Sequence, residues 1–364
     1  MHIELPEVNL PERVRLVMLF GGRSAEHDIS CISATHVLAA LDRERYQIEL
    51  AGITRQGSFV AAEAEGDLVA SGEPLDLLEL LAQETPAETP TVVVPVLHGP
   101  NGEDGTIQGF LETAGVPYVG SGVLSSAVAM DKDFTKRLLA GAGTPQTPWC
   151  TVYPAVARPS VAELRAMFDE LGPTVFVKPA NMGSSVGVAR VDSGSVDDLD
   201  AAIRFAAEFD DVVLVEAAVG GREIECAVLG NDDPIASVLG EVVTDAEFYD
   251  YSDKYFDGTA RTVIPAELDE ATMQRGRQLA VDTFRFLRCA GLARVDLFLD
   301  RDGRFLVNEV NTFPGFTPIS MYPKLWIACG VSYPRLIDEL VALALESHER
   351  RSAHSVTPEP EHQA

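Results

Sequence analysis

The segment Gly291–Gly315, with the sequence GLARVDLFLDRDGRFLVNEVNTFPG, restricts the possible folds more than any other part of the chain. Two apolar runs, Leu292–Leu299 and Phe305–Val310, are separated by a short polar turn that contains Asp302-Gly303. Apolar runs joined by an Asp-Gly turn are typical of a β-hairpin. The segment therefore predicts two antiparallel strands.

The register of this hairpin brings charged residues together. With Asp302-Gly303 as a two-residue loop, Asp296 is expected to face Glu309, and Arg294 to face Asn311. Because side chains alternate along a strand, all four project from one face. Adjacent carboxylates repel each other, and a hard cation with oxygen ligands, Mg²⁺ above all, would offset that repulsion. The alternative is a solvated hairpin face with a chance ion pair.

Length and composition limit the class of protein. The chain has 364 residues, which predicts two or three domains. No stretch approaches the roughly 20 apolar residues of a membrane span, and the acidic N-terminus has no signal-peptide core, so we expect a cytoplasmic protein. The net charge of −28 argues against nucleic acid or an anionic membrane as partner. The five scattered cysteines include no C-x-x-C pair and are typical of reduced thiols.

Lysine is rare, and its positions are informative. Only five of the 28 basic residues are lysines. Lys178 directly precedes a glycine-rich loop, and Lys254 lies in a tyrosine-rich one. Lysine binds phosphate as a compact point charge, which makes both residues candidate ligand contacts. Compositional drift is the alternative.

The first 120 residues predict a doubly wound α/β domain. Apolar strands alternate with helices in the order typical of a parallel sheet; the strands are Val14–Phe20, Ile48–Ile53 and Thr91–Leu97, and the helices Ile32–Leu41 and Thr106–Ala114. Residues 61–90 are predicted to form a surface helix and a loop. Glu26 and His98 follow two of the strands, where such sheets bind ligands, although a lone loop histidine is more often simply exposed. Gly21-Gly22 lacks the G-x-G-x-x-G spacing of a dinucleotide-binding oxidoreductase.

A second unit, residues 121–215, contains a candidate phosphate-binding loop. The loop PANMGSSVG lies between predicted strands Thr174–Lys178 and Val186–Val191. Its backbone N–H groups and hydroxyls could fold over phosphates, or it could be an ordinary hairpin turn. The remaining predicted elements are the helices Asp131–Ala142, Val161–Leu171 and Asp197–Phe209 and the strand Val212–Glu216.

The third unit, residues 216–348, precedes a polar tail, residues 349–364, that we expect to be disordered. Its segment FYDYSDKYFDGTAR fits a loop that closes over a ligand, with a long surface loop as the alternative. The segment NTFPGFTPISMYPKLW is predicted to be irregular. The predicted regular elements are strands Glu223–Leu229 and Ile235–Val243, helix Ala271–Arg288, the hairpin described above and helix Val331–Glu346.

Taken in order, these segments resemble the D-alanine–D-alanine ligase family of the ATP-grasp superfamily. The resemblance extends from about Val14 to Glu346 and rests on six motifs: GGRSAEHDIS, HGPNGEDGT, GSGVLSSAVAMDK, VKPANMGSSVGV, YDYSDKY and ARVDLFL…VNEVNTFPGF. It implies an α/β fold of three domains, in which the doubly wound N-terminal domain is followed by two ATP-grasp subdomains that hold ATP between them.

The resemblance also implies a nucleotide and metal site. The implied ATP-binding residues are Lys132, Lys178, Gly183, Ser185, Glu216 and Glu223. The match at Glu216 is imperfect, since many relatives carry lysine directly after that glutamate. The implied ligands of two Mg²⁺ or Mn²⁺ ions are Asp296, Glu309 and Asn311, which agrees with the hairpin register.

The substrate roles are likewise implied by the resemblance. Glu26 corresponds to the acceptor for the first D-alanine ammonium, and Ser184 and Tyr255 to its hydrogen-bonded partners. His98 corresponds to a residue near the second D-alanine, whose carboxylate would be anchored by Lys254 and Ser320. Arg294 and the Gly315 N–H resemble an oxyanion hole.

The implied activity is ATP-dependent synthesis of D-alanyl-D-alanine for peptidoglycan precursors, through a D-alanyl phosphate, by a homodimer that associates through its N-terminal domain. Tyr255 favours an amine as the second nucleophile. Alternatives are a D-alanine–D-lactate or D-alanine–D-serine ligase of the same family and a non-catalytic nucleotide-binding protein.

Overall fold

The computed structural model describes residues 2–63, 66–192, 194–243 and 261–355. Its strands are β1 (Val14–Gly21), β2 (Tyr46–Ile53), β3 (Phe59–Ala61), β4 (Thr91–Val96), β5 (Trp149–Val152), β6 (Val175–Pro179), β7 (Ala189–Val191), β8 (Val213–Ala217), β9 (Gly221–Gly230), β10 (Ile235–Val243), β11 (Arg261–Val263), β12 (Gly291–Asp300) and β13 (Phe305–Asn311). Its helices are α1 (His27–Ala40), α2 (Leu77–Leu81), α3 (Thr106–Thr113), α4 (Val123–Met130), α5 (Lys132–Gly141), α6 (Val161–Leu171), α7 (Val196–Ala206), α8 (Glu270–Phe286), α9 (Met321–Ala328) and α10 (Tyr333–Ser352). Within the described ranges, no helix combines the length and apolarity that a membrane crossing requires.

The N-terminal sheet confirms the predicted parallel strands. Its order is β3-β2-β1-β4, in which β1 is parallel to both β2 and β4 and β3 adds an antiparallel edge. Side chains of β1 alternate between two cores, with Leu16 and Met18 in one and Val17 and Leu19 in the other. Helices cover both faces, as the doubly wound prediction requires. Within the described part of residues 61–90, the predicted surface helix corresponds to the short helix α2, and Ala61 ends β3.

The central sheet is antiparallel and has its own core. Its order is β5-β8-β6-β7, and the β6–β7 pair confirms the predicted hairpin around PANMGSSVG. All buried residues of its hydrophobic cluster lie between Val152 and Val215. The unit starts and finishes at adjacent strands, because Trp149 of β5 pairs with Glu216 of β8. The chain therefore enters and leaves this unit at one place.

The C-terminal sheet has the order β11-β10-β9-β12-β13, all antiparallel. One face packs against α8 through residues such as Cys226 and Val295. The other face is apolar near Leu229 and Leu292, where it meets α9 and α10, and polar farther along. That polar half carries the candidate site.

One hydrophobic core joins the N-terminal and C-terminal parts of the chain. It contains residues of β1 such as Met18, residues of β9 and β12 such as Leu229, and Trp326 of α9 and Leu336 of α10. Trp326 is fully buried. Since side chains from both ends of the sequence interdigitate there, the two parts pack as one body.

Two expectations for the C-terminal region were wrong. Part of the segment predicted to be irregular forms α9, in which Pro323 is tolerated because it lies in the first turn. The last helix extends to Ser352, past Glu346 and into the expected tail. Contacts made by the final turn explain the extension, since Arg350 pairs with Asp232 and the guanidinium of Arg351 lies 5.1 Å from the centre of the Tyr118 ring.

Candidate active site

The β12–β13 hairpin has the predicted pairing in its functional half. Asp296 faces Glu309 and Arg294 faces Asn311. The predicted two-residue turn was wrong, because the Asp300 N–H donates to the Arg304 carbonyl at 3.0 Å, which leaves a three-residue loop. That loop shifts the register by one residue, and a β-bulge between the Asp296 and Leu297 pairs shifts it back. The two deviations cancel at the site.

A row of three carboxylates crosses the polar face of the sheet. Glu225 of β9 pairs in register with Asp296, which in turn faces Glu309. The Arg294 guanidinium donates two hydrogen bonds of 2.7 Å to Asp296 and lies 3.1 Å from Glu225. Burial alone would lower the pKa of Arg294, but the carboxylates of Asp296 and Glu225 raise it well above its ordinary value. Arg294 is thus a permanent cation among acidic groups.

The glycine-rich loop contacts the N-terminal domain at Glu26. The Ser184 hydroxyl donates to the Glu26 carboxylate, which is buried. A Cβ atom on Gly183 would lie 2.7 Å from Glu26 Oε2, and one on Gly99 would lie 2.5 Å from it. Glycine at both positions therefore allows the loop and the His98-Gly99 turn to close around one carboxylate.

Three lysines pair with carboxylates at or beside the site. Lys132 Nζ donates to the Met182 carbonyl at 2.6 Å and lies 3.4 Å from Glu309 Oε2. Lys178 Nζ lies 2.8 Å from Glu216 Oε2, and Lys136 Nζ lies 3.3 Å from the other oxygen of that carboxylate. The Glu216 side chain, one of the implied ATP-binding residues, is therefore held by two lysines.

His98 and Glu103 fix Phe313, the second residue after the end of β13. His98 Nδ1 lies 3.2 Å from the Phe313 carbonyl, and the Phe313 N–H donates to Glu103 at 3.2 Å. Burial lowers the pKa of His98 to about 4, so the ring is neutral at pH 7 and its Nδ1–H can donate to that carbonyl. Burial and the nearby charge of Glu26 raise the pKa of Glu103 to about 8. Both polar groups of the Phe313 backbone are thus held by the N-terminal domain.

Ser33 of α1 holds the same segment three residues later. Its hydroxyl oxygen accepts a hydrogen bond from the Phe316 N–H at 3.2 Å and lies 3.1 Å from His98 Nε2. Between the two anchored residues lies Gly315, where a Cβ atom would be 2.7 Å from Ser320 Oγ. The N-terminal domain therefore braces the segment that carries the expected oxyanion donor.

The expected site residues that the structure describes all line one cavity of about 680 Å³, a volume within the usual range for ligand sites. They are Glu26, His98, Lys132, Lys178, Gly183, Ser184, Ser185, Glu216, Glu223, Arg294, Asp296, Glu309, Asn311, Gly315 and Ser320. Lys254, Tyr255 and the expected covering loop lie outside the described residues.

Sequence reasoning missed Glu225, Glu103, Ser33 and Lys136. The alternation of Glu223 and Glu225 along β9 could have placed both on the face of Asp296, but the register of β9 against β12 was needed. The other three residues contact groups far away in the sequence, so no local pattern indicates them.

Comparisons with known proteins agree with this geometry. Residues 15–121 match the family described as D-ala D-ala ligase N-terminus, and residues 138–342 match D-ala D-ala ligase C-terminus. The chain is 46% identical to D-alanine–D-alanine ligase A of Chromobacterium violaceum over 355 residues, covering 92% of this chain and 96% of the relative. It is 44% identical to the D-alanine–D-alanine ligase of Thermoanaerobacter pseudethanolicus over 357 residues, covering 93% and 99%.

Solved structures give the same result. The D-alanine–D-alanine ligase of Coxiella burnetii has a TM-score of 0.78 and 33% identity, and covers 94% of this chain and 96% of its own. The VanG D-Ala:D-Ser ligase of Enterococcus faecalis has a TM-score of 0.77 and 32% identity, and the alignment covers 91% of this chain and 99% of the ligase.

Proposed function

This chain belongs to the D-alanine–D-alanine ligase family, and we propose that it uses ATP to join two D-alanine molecules into D-alanyl-D-alanine through a D-alanyl phosphate. The observation that carries the proposal is the convergence of lysines, carboxylates, the glycine-rich loop and Arg294 on one cavity. The dipeptide would serve peptidoglycan precursor synthesis. The curated relatives described above are named D-alanine–D-alanine ligases, so we do not favour D-lactate or D-serine as the second substrate.

In the first step, a carboxylate oxygen of one D-alanine attacks the γ-phosphorus of ATP. An O–P bond forms, the bond from phosphorus to the ADP oxygen breaks, and the product is D-alanyl phosphate. Glu26 would bind the ammonium of this D-alanine, while Ser184 orients Glu26. Lys132 and Lys178 would contact the phosphates, and their positive charges would stabilise the negative charge of the phosphoryl group during its transfer.

In the second step, the neutral amine of another D-alanine attacks the acyl carbon. The C–N bond forms, the C–O bond to phosphate breaks, and the amine loses a proton. Arg294 and the Gly315 N–H would stabilise the oxyanion of the tetrahedral intermediate, since fixed donors act most strongly in a site that excludes water. The Ser33, His98 and Glu103 contacts keep the Gly315 segment in place for this role.

The residues of the hairpin fit a divalent cation. Asp296, Glu309 and Asn311 offer only oxygen donors on one cavity wall, the donor type that Mg²⁺ and Mn²⁺ prefer. Among the described residues no three His, Cys, Asp or Glu side chains form a complete metal site, and Mg²⁺ commonly takes water and substrate phosphates as its other ligands. When bound, the ions would neutralise phosphate charge. The homodimer and the cytoplasmic location also stay predictions.

An ADP-release assay tests the proposed function. The purified chain is given ATP and Mg²⁺ with D-alanine, L-alanine or no amino acid, and products are identified by mass spectrometry. We expect ADP and D-alanyl-D-alanine only with D-alanine, and the dipeptide to predominate when D-lactate and D-serine compete. ADP release that does not depend on D-alanine would contradict the proposal, as would D-alanyl-D-lactate as the main product. Arg294→Ala should lose dipeptide synthesis, whereas the exposed hairpin variant Arg304→Ala should retain it.

A further inference from the structure

Three buried charged side chains form a cluster beside the cavity. They are Lys136 of α5, Glu216 of β8 and Lys178 of β6, which are 1%, 3% and 9% exposed. The two lysines take different oxygens of the carboxylate, at 3.3 Å for Lys136 and 2.8 Å for Lys178. Lys136 also donates to the Thr147 carbonyl at 3.1 Å and lies 5.5 Å from the centre of the Trp149 ring. Its ammonium is therefore fixed from several sides.

Only two members of the cluster reach the cavity. Lys178 and Glu216 line it, whereas Lys136 does not. Lys136 thus lies behind the carboxylate and cannot touch a ligand held in the cavity. Any effect of Lys136 on such a ligand must pass through Glu216 and Lys178.

The charge balance of the cluster depends on Lys136. One lysine and Glu216 would form a neutral pair, whereas two lysines beside one carboxylate leave a net charge of about +1. Because the cluster is buried, solvent and salt screen that charge only weakly. Burial would raise the pKa of Glu216, but the charges of Lys178 and Lys136 outweigh it and lower that pKa. Burial lowers the pKa of Lys136, the charge of Glu216 opposes this effect only in part, and the charge of Lys178 adds to the lowering. The carboxylate therefore stays ionised, and the unbalanced positive charge faces the cavity at Lys178.

We propose that Lys136 is a positioning residue for the nucleotide site: its ammonium forms an ion pair with one oxygen of Glu216, so that Lys178 keeps its place and an uncancelled positive charge for the phosphates of ATP. This inference rests on the proposed contact between Lys178 and those phosphates. The charge that Lys136 supplies acts on the phosphate chain, which adenosine lacks.

The test compares ADP and adenosine binding by calorimetry in the wild type, Lys136→Met, Lys136→Arg and the double variant Lys136→Met/Glu216→Gln. Lys136→Met reduces the formal charge of the cluster from +1 to 0, and the double variant restores it to +1. We expect Lys136→Met to weaken ADP binding about 10- to 100-fold relative to adenosine. Lys136→Arg should resemble the wild type, and the double variant should recover most of the ADP-to-adenosine ratio.

Several outcomes would overturn the inference. If Lys136 had a purely structural role, Lys136→Met would weaken the binding of ADP and of adenosine by the same factor. The double variant would then show no higher ADP-to-adenosine affinity ratio than the single variant. Thermal denaturation identifies any variant that does not fold. If Lys136→Met is unfolded, the folded double variant decides alone, and loss of its preference for ADP over adenosine would overturn the inference. A wild type that binds ADP no better than adenosine would instead refute the proposed nucleotide site.

Discussion

Replacement of Gly183 with alanine tests how closely the glycine-rich loop approaches Glu26. The new Cβ would lie 2.7 Å from Glu26 Oε2, whereas ordinary contacts begin near 3.4 Å, so the carboxylate must retreat by about 0.7 Å to reach ordinary contact. The obstacle is the end of a flexible side chain, so the free energy of unfolding should change by less than about 1 kcal/mol. The fold should therefore survive while the proposed ammonium acceptor moves.

The magnitude follows from that displacement. A misplacement of about 1 Å in a reactive arrangement can cost about 100-fold in rate. We therefore expect kcat/KM for D-alanine to fall about 10- to 100-fold, measured by ADP release at saturating ATP. Gly141→Ala is the matched control, because nothing lies within 4 Å of the added Cβ there. A folded Gly183→Ala enzyme with wild-type kcat/KM for D-alanine, or one impaired only in KM for ATP, would refute the reasoning.

Three further predictions concern the brace, a buried acid and the metal. Ser33→Ala should lower the free energy of unfolding by about 1–3 kcal/mol in chemical denaturation and reduce kcat, because it leaves His98 Nε2 and the Phe316 N–H without their buried partner. The exposed Ser58→Ala is the control, and equal stability of the two variants would contradict the bracing role of Ser33. Because the folded pKa of Glu103 is raised to about 8, the wild type should lose stability relative to Glu103→Gln as pH rises from about 5 to 8 and level off above; a pH-independent difference in Tm would refute this. Glu309→Gln should raise the Mg²⁺ concentration for half-maximal activity at least about tenfold, whereas the exposed Asp302→Asn should not, and an unchanged Mg²⁺ dependence would exclude Glu309 as a ligand.

Local sequence patterns predicted the elements well where periodicity was strong. The parallel strands of the N-terminal sheet and helix Val161–Leu171 match the structure closely. The pattern failed at Met321–Ala328, where a proline and hydroxyl-rich flanks suggested an irregular chain. That helix forms because Tyr322 and Trp326 are fully buried in the shared core, and tertiary burial outweighs a weak local signal.

The hairpin shows the limit of register arguments. The pairing of Asp296 with Glu309 was predicted from a turn that the structure does not contain. A β-bulge has no reliable sequence signal, so agreement at the site depended on two compensating shifts. Alternation reliably places residues of one strand on the same face, but which residues of β12 and β13 share a face depends on the register, and a single uncompensated shift would have separated Asp296 from Glu309.

Residues outside local patterns could not be found from one sequence. The hydroxyl of Ser33 meets the Phe316 N–H across 283 positions of the chain, and Glu103 meets the Phe313 N–H across 210. Such contacts arise only when the N-terminal and C-terminal parts pack together. Lys136 was equally hidden, since its partner Glu216 lies on a strand of another unit in the sequence.

The entry and exit of the central unit at one point has a practical consequence for protein engineering. The Ala217 N–H donates to the Pro148 carbonyl at 3.0 Å, so a linker of a few residues could join the chain across the base of this unit. The excised lobe has its own apolar interior, and the remainder keeps the core that unites Met18 with Trp326. By contrast, truncation after residue 120 would remove about half of the side chains from the core shared by Met18 and Trp326, and both fragments would expose apolar surface. The lobe between Trp149 and Ala217 is therefore the natural module for transplantation.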